Sequence, residues 1–450
     1  FSWKLKKGES FSTPEVCLTY SADGFSKLSQ TLHQAIVSNL IRSCWKDRVR
    51  PILVNNWEAT YFDFNKDNLI AIAKEAAELN LDMLVLDDGW FGKRDDDFSG
   101  LGDWFVNEKK LCGTLSELVK EVHDMGLSFG LWFEPEMISE DSDLYRAHPD
   151  WALVISGRQP IRSRSQLVLD MSREDVTDYL TERICDIVEK ADIQYIKWDM
   201  NRSLMAAYSA KLPRDRQGEL RHRYVLGLYK VLEAVTQRFP ELLLEGCSGG
   251  GGRFDAGMLY YCPQIWCSDN TDAIERLRIQ YGTSFGYPMS SVSAHVSVCP
   301  NHQNHRVTPF KTRGICAMQG TFGYELNLGK LSEEEKEEIR SQVEEYRKFA
   351  PLIQTGLYYR LSDPSKEEYA AWAFVSEDQK EVLLNVVMQE IHGNMTVNYV
   401  NLQGLKCSAV YRDTETGKTY NGAALMEAGI PMPVEMGEFK AYQMHLVGEE

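Results

Sequence analysis

From Arg50 onward two kinds of segment alternate along the chain. Short runs dense in Val, Ile, Leu, Phe and Trp break off into polar residues. Longer runs repeat apolar residues every three to four positions. The first kind reads as buried strand and the second as amphipathic helix. RPILVNNWEA is a strand, and NKDNLIAIAKEAAELN a helix with Asn65 as its N-cap. LDMLVLDDGW is a strand, and TLSELVKEVHDMG a helix closed by Gly126. LSFGLWFEPEM is a strand, followed by an irregular helical stretch near DLYRAHPDW. The same rhythm continues through QLVLDMS and REDVTDYLTERICDIVEKAD, then IQYIKWDMN and GELRHRYVLGLYKVLEAVTQRFP. ELLLEGCSGGGG runs into glycines. QIWCSDN precedes AIERLRIQYGTSFG, and SSVSAHVSV precedes FKTRGICAMQGT as the eighth strand and its helix.

Strand–helix alternation argues for a parallel sheet with helices outside. Eight units fit an α/β fold of the (β/α)8 TIM-barrel kind better than an open sheet. The acidic segment SEEEKEEIRSQVEEYRKFAPLI reads as a further helix with Glu/Lys pairs at helical spacing. After Gly356 the texture changes to short alternating strands such as YAAWAFVSE and KEVLLNVVMQ. That predicts a small antiparallel β-sandwich domain. Residues 1–30 read as extended segments ending in the turn signal TYSADG, followed by the helical pattern FSKLSQTLHQAIVSNLIRS. The expected organisation is 1–30, a barrel over 31–350, and a C-terminal β domain over 351–450.

Composition narrows the function. The chain has 450 residues, 43% hydrophobic and 26% charged, which is globular. A net charge of −17 argues against nucleic acid and against anionic membranes as partners. Ten scattered cysteines form no CxxC pair and no zinc-finger set with histidine, so free thiols in a reducing, cytoplasmic setting are expected. No apolar run is long enough to span a membrane. The opening FSWKLKKGES has no Met and reads as an internal start, so an N-terminally incomplete chain is expected.

Barrel active sites form at the C-terminal ends of the strands. Reading those ends in turn brings out one polar rim. The first strand delivers Trp57, the second Asp87, Asp88 and Trp90, and the third Trp132, Glu134 and Glu136. QLVLDMS, just after Arg162 and Arg164, delivers Asp170. IQYIKWDMN delivers Lys197, Asp199 and Asn201, which share a face because residues two apart on a strand point the same way. Cys247 and Gly249 follow, then Trp266, Asp269 and Asp272, then His295. Flat indoles suit the C–H faces of a sugar ring, and carboxylates, Lys, Arg and Asn suit its hydroxyls. Two carboxylates on either side of a sugar can hydrolyse its glycosidic bond. Asp199, beside Lys197, suits the ionised nucleophile. Asp269, among less polar neighbours, suits the acid.

Other readings compete. Each tryptophan could be core. Asp87 and Asp88 could hold a divalent cation with KRDDD, although that run reads better as a solvated loop. Glu134 and Glu136 could pair within the barrel. His295, His302 and His305 match no standard metal spacing. CSGGGGRFD lacks the patterns of phosphate loops. No metal or cofactor is expected.

VLDDGWFGKRDDD, GLWFEPEM, YIKWDMNR, CSGGGGRFD and IWCSDNTDAIERLRIQYGTS together resemble glycoside hydrolase family 36, the bacterial α-galactosidases. The resemblance runs from about Arg50 into the β domain, and YSADGFSKLSQTLH fits it too. It implies retaining hydrolysis of terminal α-galactosides such as melibiose and raffinose. By motif, Asp199 is then the nucleophile and Asp269 the acid/base. Asp87 and Asp88 meet the O4 and O6 side of galactose. Lys197 and Arg164 hold other hydroxyls or orient Asp199, with Asn201 beside them. Cys247, Gly249 and Gly250 line the C2 hydroxyl, and Trp57, Trp132 and Trp266 wall the pocket. The carboxyl groups of such a pair should lie roughly 5–6 Å apart. The family carries an N-terminal β-sandwich that helps build tetramers. Residues 1–30 read as its tail, and a homo-oligomer is possible. A raffinose-synthase-like galactosyl transferase, an α-N-acetylgalactosaminidase and a non-catalytic galactoside-binding protein are the alternatives.

Overall fold

A computed structural model describes residues 1–205, 207–394 and 396–449. Eight parallel strands close into a barrel: β1 Leu53–Asn55, β2 Met83–Leu86, β3 Ser128–Phe133, β4 Tyr195–Trp198, β5 Leu243–Gly246, β6 Gln264–Trp266, β7 Val292–Ser297 and β8 Thr321–Glu325. Each pairs with its neighbours in sequence, and β1 meets β8 through Leu53 and Gly323. The helix α1 Gly24–Ala35 precedes the first strand, and helices follow the strands, among them α2 Lys66–Glu78, α3 Leu115–His123, α4 Glu174–Ala191, α5 Leu220–Arg238, α6 Ala273–Thr283, α7 Phe310–Ala317 and α8 Glu333–Thr355. Asn65 caps α2 as expected, sharing a capping box with Asn68. Among the described residues no helix is long and apolar enough to cross a membrane.

Two corrections concern which strands make the barrel. QLVLDMS is not among them: Leu167–Val168 pairs antiparallel with Met137–Ile138 outside the closed sheet. The eighth strand is TFGYE, which follows α7 after only three residues. A short apolar run carries no mark of its pairing partner, so periodicity alone could not separate these two. Asp199 therefore follows the fourth barrel strand and Asp269 the sixth.

Alternation along the strands builds the barrel in layers. Leu53, Met83, Val85, Tyr195 and Leu243 pack together as an apolar plug inside it. Two residues further along the same strands, on the same inward face, stand Asn55, Asp87, Lys197 and Glu245. The interior thus changes from apolar to charged within one layer, toward the C-terminal mouth.

The C-terminal region is a six-stranded antiparallel sheet in the order β9 Leu357–Arg360, β10 Tyr369–Val375, β11 Glu381–Met388, β16 Ala441–Glu449, β13 Val410–Asp413, β14 Thr419–Asn421. A two-stranded sheet, β12 Tyr399–Val400 with β15 Ile430–Pro431, covers one face. Period-two alternation sorts the side chains. Trp372, Phe374, Leu383 and Val387 join the barrel's outer core, while Ala373, Val375, Val382 and Leu384 pack under the smaller sheet. Residues 1–23 hold no helix or strand. Their rings Phe1, Trp3 and Phe11 gather on His222 of α5.

Candidate active site

A cavity of about 140 Å³ opens at the C-terminal mouth of the barrel. Of the residues that the family resemblance assigns to the site, all line it except Cys247, Gly249 and Gly250, and the rim candidates Trp90, Glu134, Glu136, Asp170, Asp272 and His295 do not. At its base Lys197 Nζ lies 2.9 Å from Asp87 Oδ2, with both side chains under a tenth exposed. Asn55 Nδ2 donates to the same oxygen at 2.7 Å, and the backbone of Asp88 donates to Oδ1 at 2.9 Å. Burial works against the Lys197 charge, but Asp87, then Glu325, more than offset it and hold its pKa well above the usual lysine range. The ammonium expected beside Asp199 is thus committed to Asp87 by direct contact. The alternation placed Lys197 at the right layer, and the registers of β2 and β4 on the β3 strand between them bring Asp87 level with it.

Four donors converge on Asp199. Asn201 Nδ2 and Trp132 Nε1 donate to Oδ2 at 2.7 and 3.2 Å. The backbone N–H groups of Met200 and Gly249 donate to Oδ1 at 2.7 and 3.4 Å. This set holds one carboxylate face toward the cavity. Asn201 is itself fixed, because Arg164 Nη1 donates to its Oδ1 at 2.7 Å. Arg164 reaches it from a tight turn, Ser163 to Gln166, in which Arg164 and Ser165 both have positive φ, 50° and 60°. Two-residue turns of that hand normally use Gly or Asn, so this backbone is strained where it delivers a cation to the rim.

Asp269 faces the same cavity from the loop after β6, and Trp266 Nε1 donates to its Oδ1 at 3.0 Å. The residue stands at the mouth, yet protein crowds its carboxyl. Burial first, and the like charge of Asp199 second, raise its pKa. Trp132 and Trp266, expected as apolar walls, therefore also donate one hydrogen bond to each of the two carboxylates.

Asp88 is buried against Arg94, whose Nη2 and Nε donate at 2.8 and 3.1 Å. Burial pushes its pKa up to about 6 although Arg94 pulls the other way. Arg94 belongs to KRDDD, expected as a solvated loop. Its side chain is 2% exposed, whereas Lys93 and Asp95 to Asp97 do face solvent. The correction is physical: the fork of Arg94 matches the Asp88 carboxylate, and that pairing draws it inward. Among the described residues no group of three or more His, Cys, Asp or Glu is arranged to hold a metal ion.

The loop after β5 lies behind the cavity. Cys247 is buried, and burial, then Asp199 and Asp269, push its thiol well above the usual range. Gly249 supplies its N–H to Asp199. Gly250, at φ +82°, lies so close under the next loop that an added Cβ would stand 2.7 Å from the Asp269 nitrogen. Trp90 donates to the Trp132 carbonyl and is core. Asp170 is buried away from the rim, taking Ser172 Oγ. Glu136 pairs with Arg253, and Glu134 takes Gln166 Nε2, so both work beneath the site.

Four lining residues escaped the sequence reading, Glu58, Thr271, Gln303 and Glu325, and a fifth, His302, was weighed there only as a metal ligand. Glu58 follows Trp57 directly, and Glu325 ends TFGYE, so recognising that strand would have found it. His302 Nδ1 lies 3.3 Å from Glu58, and His295 Nδ1 3.2 Å from Glu325. Burial, then Glu325, raises the pKa of Glu58. Burial acts on Glu325 too, but His295 and Lys197 overcome it and leave its pKa lowered.

A barrel whose mouth sets two aspartates among indoles, amides and buried ion pairs is the form of a glycoside hydrolase. Residues 10–356 match the melibiase family model, and residues 369–446 match the glycosyl hydrolase family 36 C-terminal domain. The chain belongs to glycoside hydrolase family 36. It is 57% identical over 443 residues to the bifunctional α-galactosidase/sucrose kinase AgaSK of Mediterraneibacter gnavus, covering 98% of this chain and 46% of that protein. It is 52% identical over 439 residues to the α-galactosidase AgaA of Geobacillus stearothermophilus, covering 98% and 60%. A crystal structure of a variant of that enzyme with stachyose matches at TM-score 0.97 and 50% identity, over 99% of this chain and 62% of that one. The chain thus spans about half to three fifths of the length of these relatives.

Proposed function

We propose that the protein is a retaining α-galactosidase, releasing terminal non-reducing α-D-galactosyl residues from α-galactosides such as melibiose and raffinose. One observation carries the reading: Asp199 and Asp269 face one small cavity, each oriented by its own indole N–H. Asp199 attacks the anomeric carbon as the glycosidic C–O bond breaks, and Asp269 gives its proton to the leaving oxygen. Asp269, now a carboxylate, takes a proton from water, whose oxygen attacks the anomeric carbon and frees Asp199. The raised pKa of Asp269 suits the acid step. Asp87, Lys197, Asp88 and Arg94 form a fixed set of donors and acceptors for the galactose hydroxyls. Cys247 and Gly249, behind Asp199, stand on the side proposed for the C2 hydroxyl. A cytoplasmic homo-oligomer belongs to the same proposal, supported by ten free thiols and by the family.

The test is turnover of nitrophenyl α-galactoside by the wild type, Asp199→Ala and Asp269→Ala. Both substitutions should depress turnover severely. With azide, Asp269→Ala should yield the α-galactosyl azide by way of the galactosyl-enzyme. Asp199→Ala should yield, if anything, the β-azide by one inversion. Near wild-type turnover in either variant sinks the assignment. Transfer to excess sucrose outpacing hydrolysis would favour the transferase reading.

A further inference from the structure

The loop that carries Asp269, from Ser268 to Asp272, has no helix or strand of its own. Trp266 holds one oxygen of the Asp269 carboxyl, which fixes the side chain but not the peptide beneath it. That peptide is held by a second loop, the one that follows β7. Gln303 brackets it from both sides: its Nε2 donates to the Asp269 carbonyl at 2.9 Å, and its Oε1 accepts the Thr271 N–H at 3.4 Å. The two partners are a fixed acceptor and a fixed donor, so the carboxamide fits in one orientation only. Thr271 is anchored further. Its hydroxyl donates to Glu58 Oε1 at 2.9 Å and accepts from Asn301 Nδ2 at 3.2 Å, and Ser297 Oγ donates to its carbonyl at 3.0 Å. Arg276 holds the other side through the carbonyls of Ser268 and Asn270, both at 2.7 Å.

We propose that Gln303 is a positioning residue for the acid/base Asp269, with Glu58 and Asn301 acting through Thr271 to back it. The inference rests on the reading of Asp269 as proton donor. Gln303 is the testable member because it is exposed at the rim and lines the cavity, whereas Arg276, Asn301 and Glu58 are tied into the interior. A carboxamide here sets where the acid sits relative to the leaving oxygen, and a displacement of order 1 Å there costs up to about a hundredfold in rate.

The experiment compares Gln303→Met and Gln303→Glu with the wild type on two substrates. Melibiose has a poor leaving group that needs the proton. Dinitrophenyl α-galactoside has a leaving group that departs without it. In Gln303→Met, kcat/KM for melibiose should fall about tenfold to a hundredfold. For the dinitrophenyl substrate it should change by less than about twofold, because that departure needs no acid. Azide should raise kcat of this variant on the dinitrophenyl substrate, since the second step lacks its base. Gln303→Glu keeps the acceptor for Thr271 but adds a negative charge beside Asp269. Its basic limb of kcat/KM should move to higher pH, because that charge favours the protonated acid. An equal fall on both substrates, an unchanged melibiose rate, or an unmoved basic limb overturns the proposal. A wild type inactive on both substrates overturns instead the α-galactosidase reading beneath it.

Discussion

Replacing Lys197 with Met tests the charged layer at the base of the cavity. Methionine matches the length of the lysine stem, so packing changes little and the loss of charge dominates. The Asp87 carboxylate, 5% exposed, would lose its ammonium partner at 2.9 Å and keep the Asn55 amide at 2.7 Å. Breaking a buried pair from one side costs about 3–5 kcal/mol, because the remaining charge is left in a poor solvent. An exposed pair costs about 1 kcal/mol at most. The assay is guanidinium unfolding followed by tryptophan fluorescence, with the melting temperature as a second reading. The double variant with Asp87→Asn should recover about half of the loss or more, since the orphaned charge is gone. The folded pKa of Lys197 is raised above the ordinary lysine value, so its contribution is complete below the unfolded value. It is lost only as pH rises through the folded one, and the cost of Lys197→Met should be flat between pH 6 and about 9. A loss below about 1 kcal/mol, or a double variant no better than the single one, would refute this account of the pair.

Asp88 should behave in the opposite way with pH. Its folded pKa of about 6 lies above its ordinary 3.8, so its share of stability is greatest below pH 4 and falls as pH rises through 6. Asp88→Asn should shrink the difference in melting temperature between pH 4.5 and pH 7. Gly250→Ala should press on the Asp269 backbone and force a positive φ on a residue with a side chain. The expected cost is about 1–3 kcal/mol in stability, with melibiose turnover lowered about tenfold or more while circular dichroism stays native. Trp132→Phe keeps a ring facing Phe91 but removes the indole N–H from Asp199. A hydrogen bond to a charged group is worth about 1.5–3 kcal/mol, and at 3.2 Å the lower end applies, so kcat/KM should fall about tenfold. Wild-type kinetics in that variant would remove the indole from the mechanism.

Much of the site could be read in advance because strand alternation is local. Val85 and Asp87, or Tyr195, Lys197 and Asp199, point the same way whatever the rest of the fold does. The position of Asn65 as a helix cap was equally local. Where the reading slipped, the missing information was not local. QLVLDMS and TFGYE are similar apolar runs, and only the closure of the sheet placed one outside it and the other beside β1. Glu325 was lost with that strand. Glu58 was hidden by lying just beyond one. The KRDDD run shows the same limit, since its charges look alike until Asp88 selects Arg94.

The amino-acid sequence by itself determined the barrel class, the polar rim and the two aspartates, because period and spacing act within a few residues. The pairing of those groups was decided by the tertiary structure alone. Lys197 went to Asp87 two strands away, the Trp132 indole reached Asp199 from the neighbouring strand, and the loop after β7 closed over the loop of Asp269. The reason is that a buried charge takes the nearest partner in space. Parallel strands joined through helices bring together residues that lie scores of positions apart in the chain.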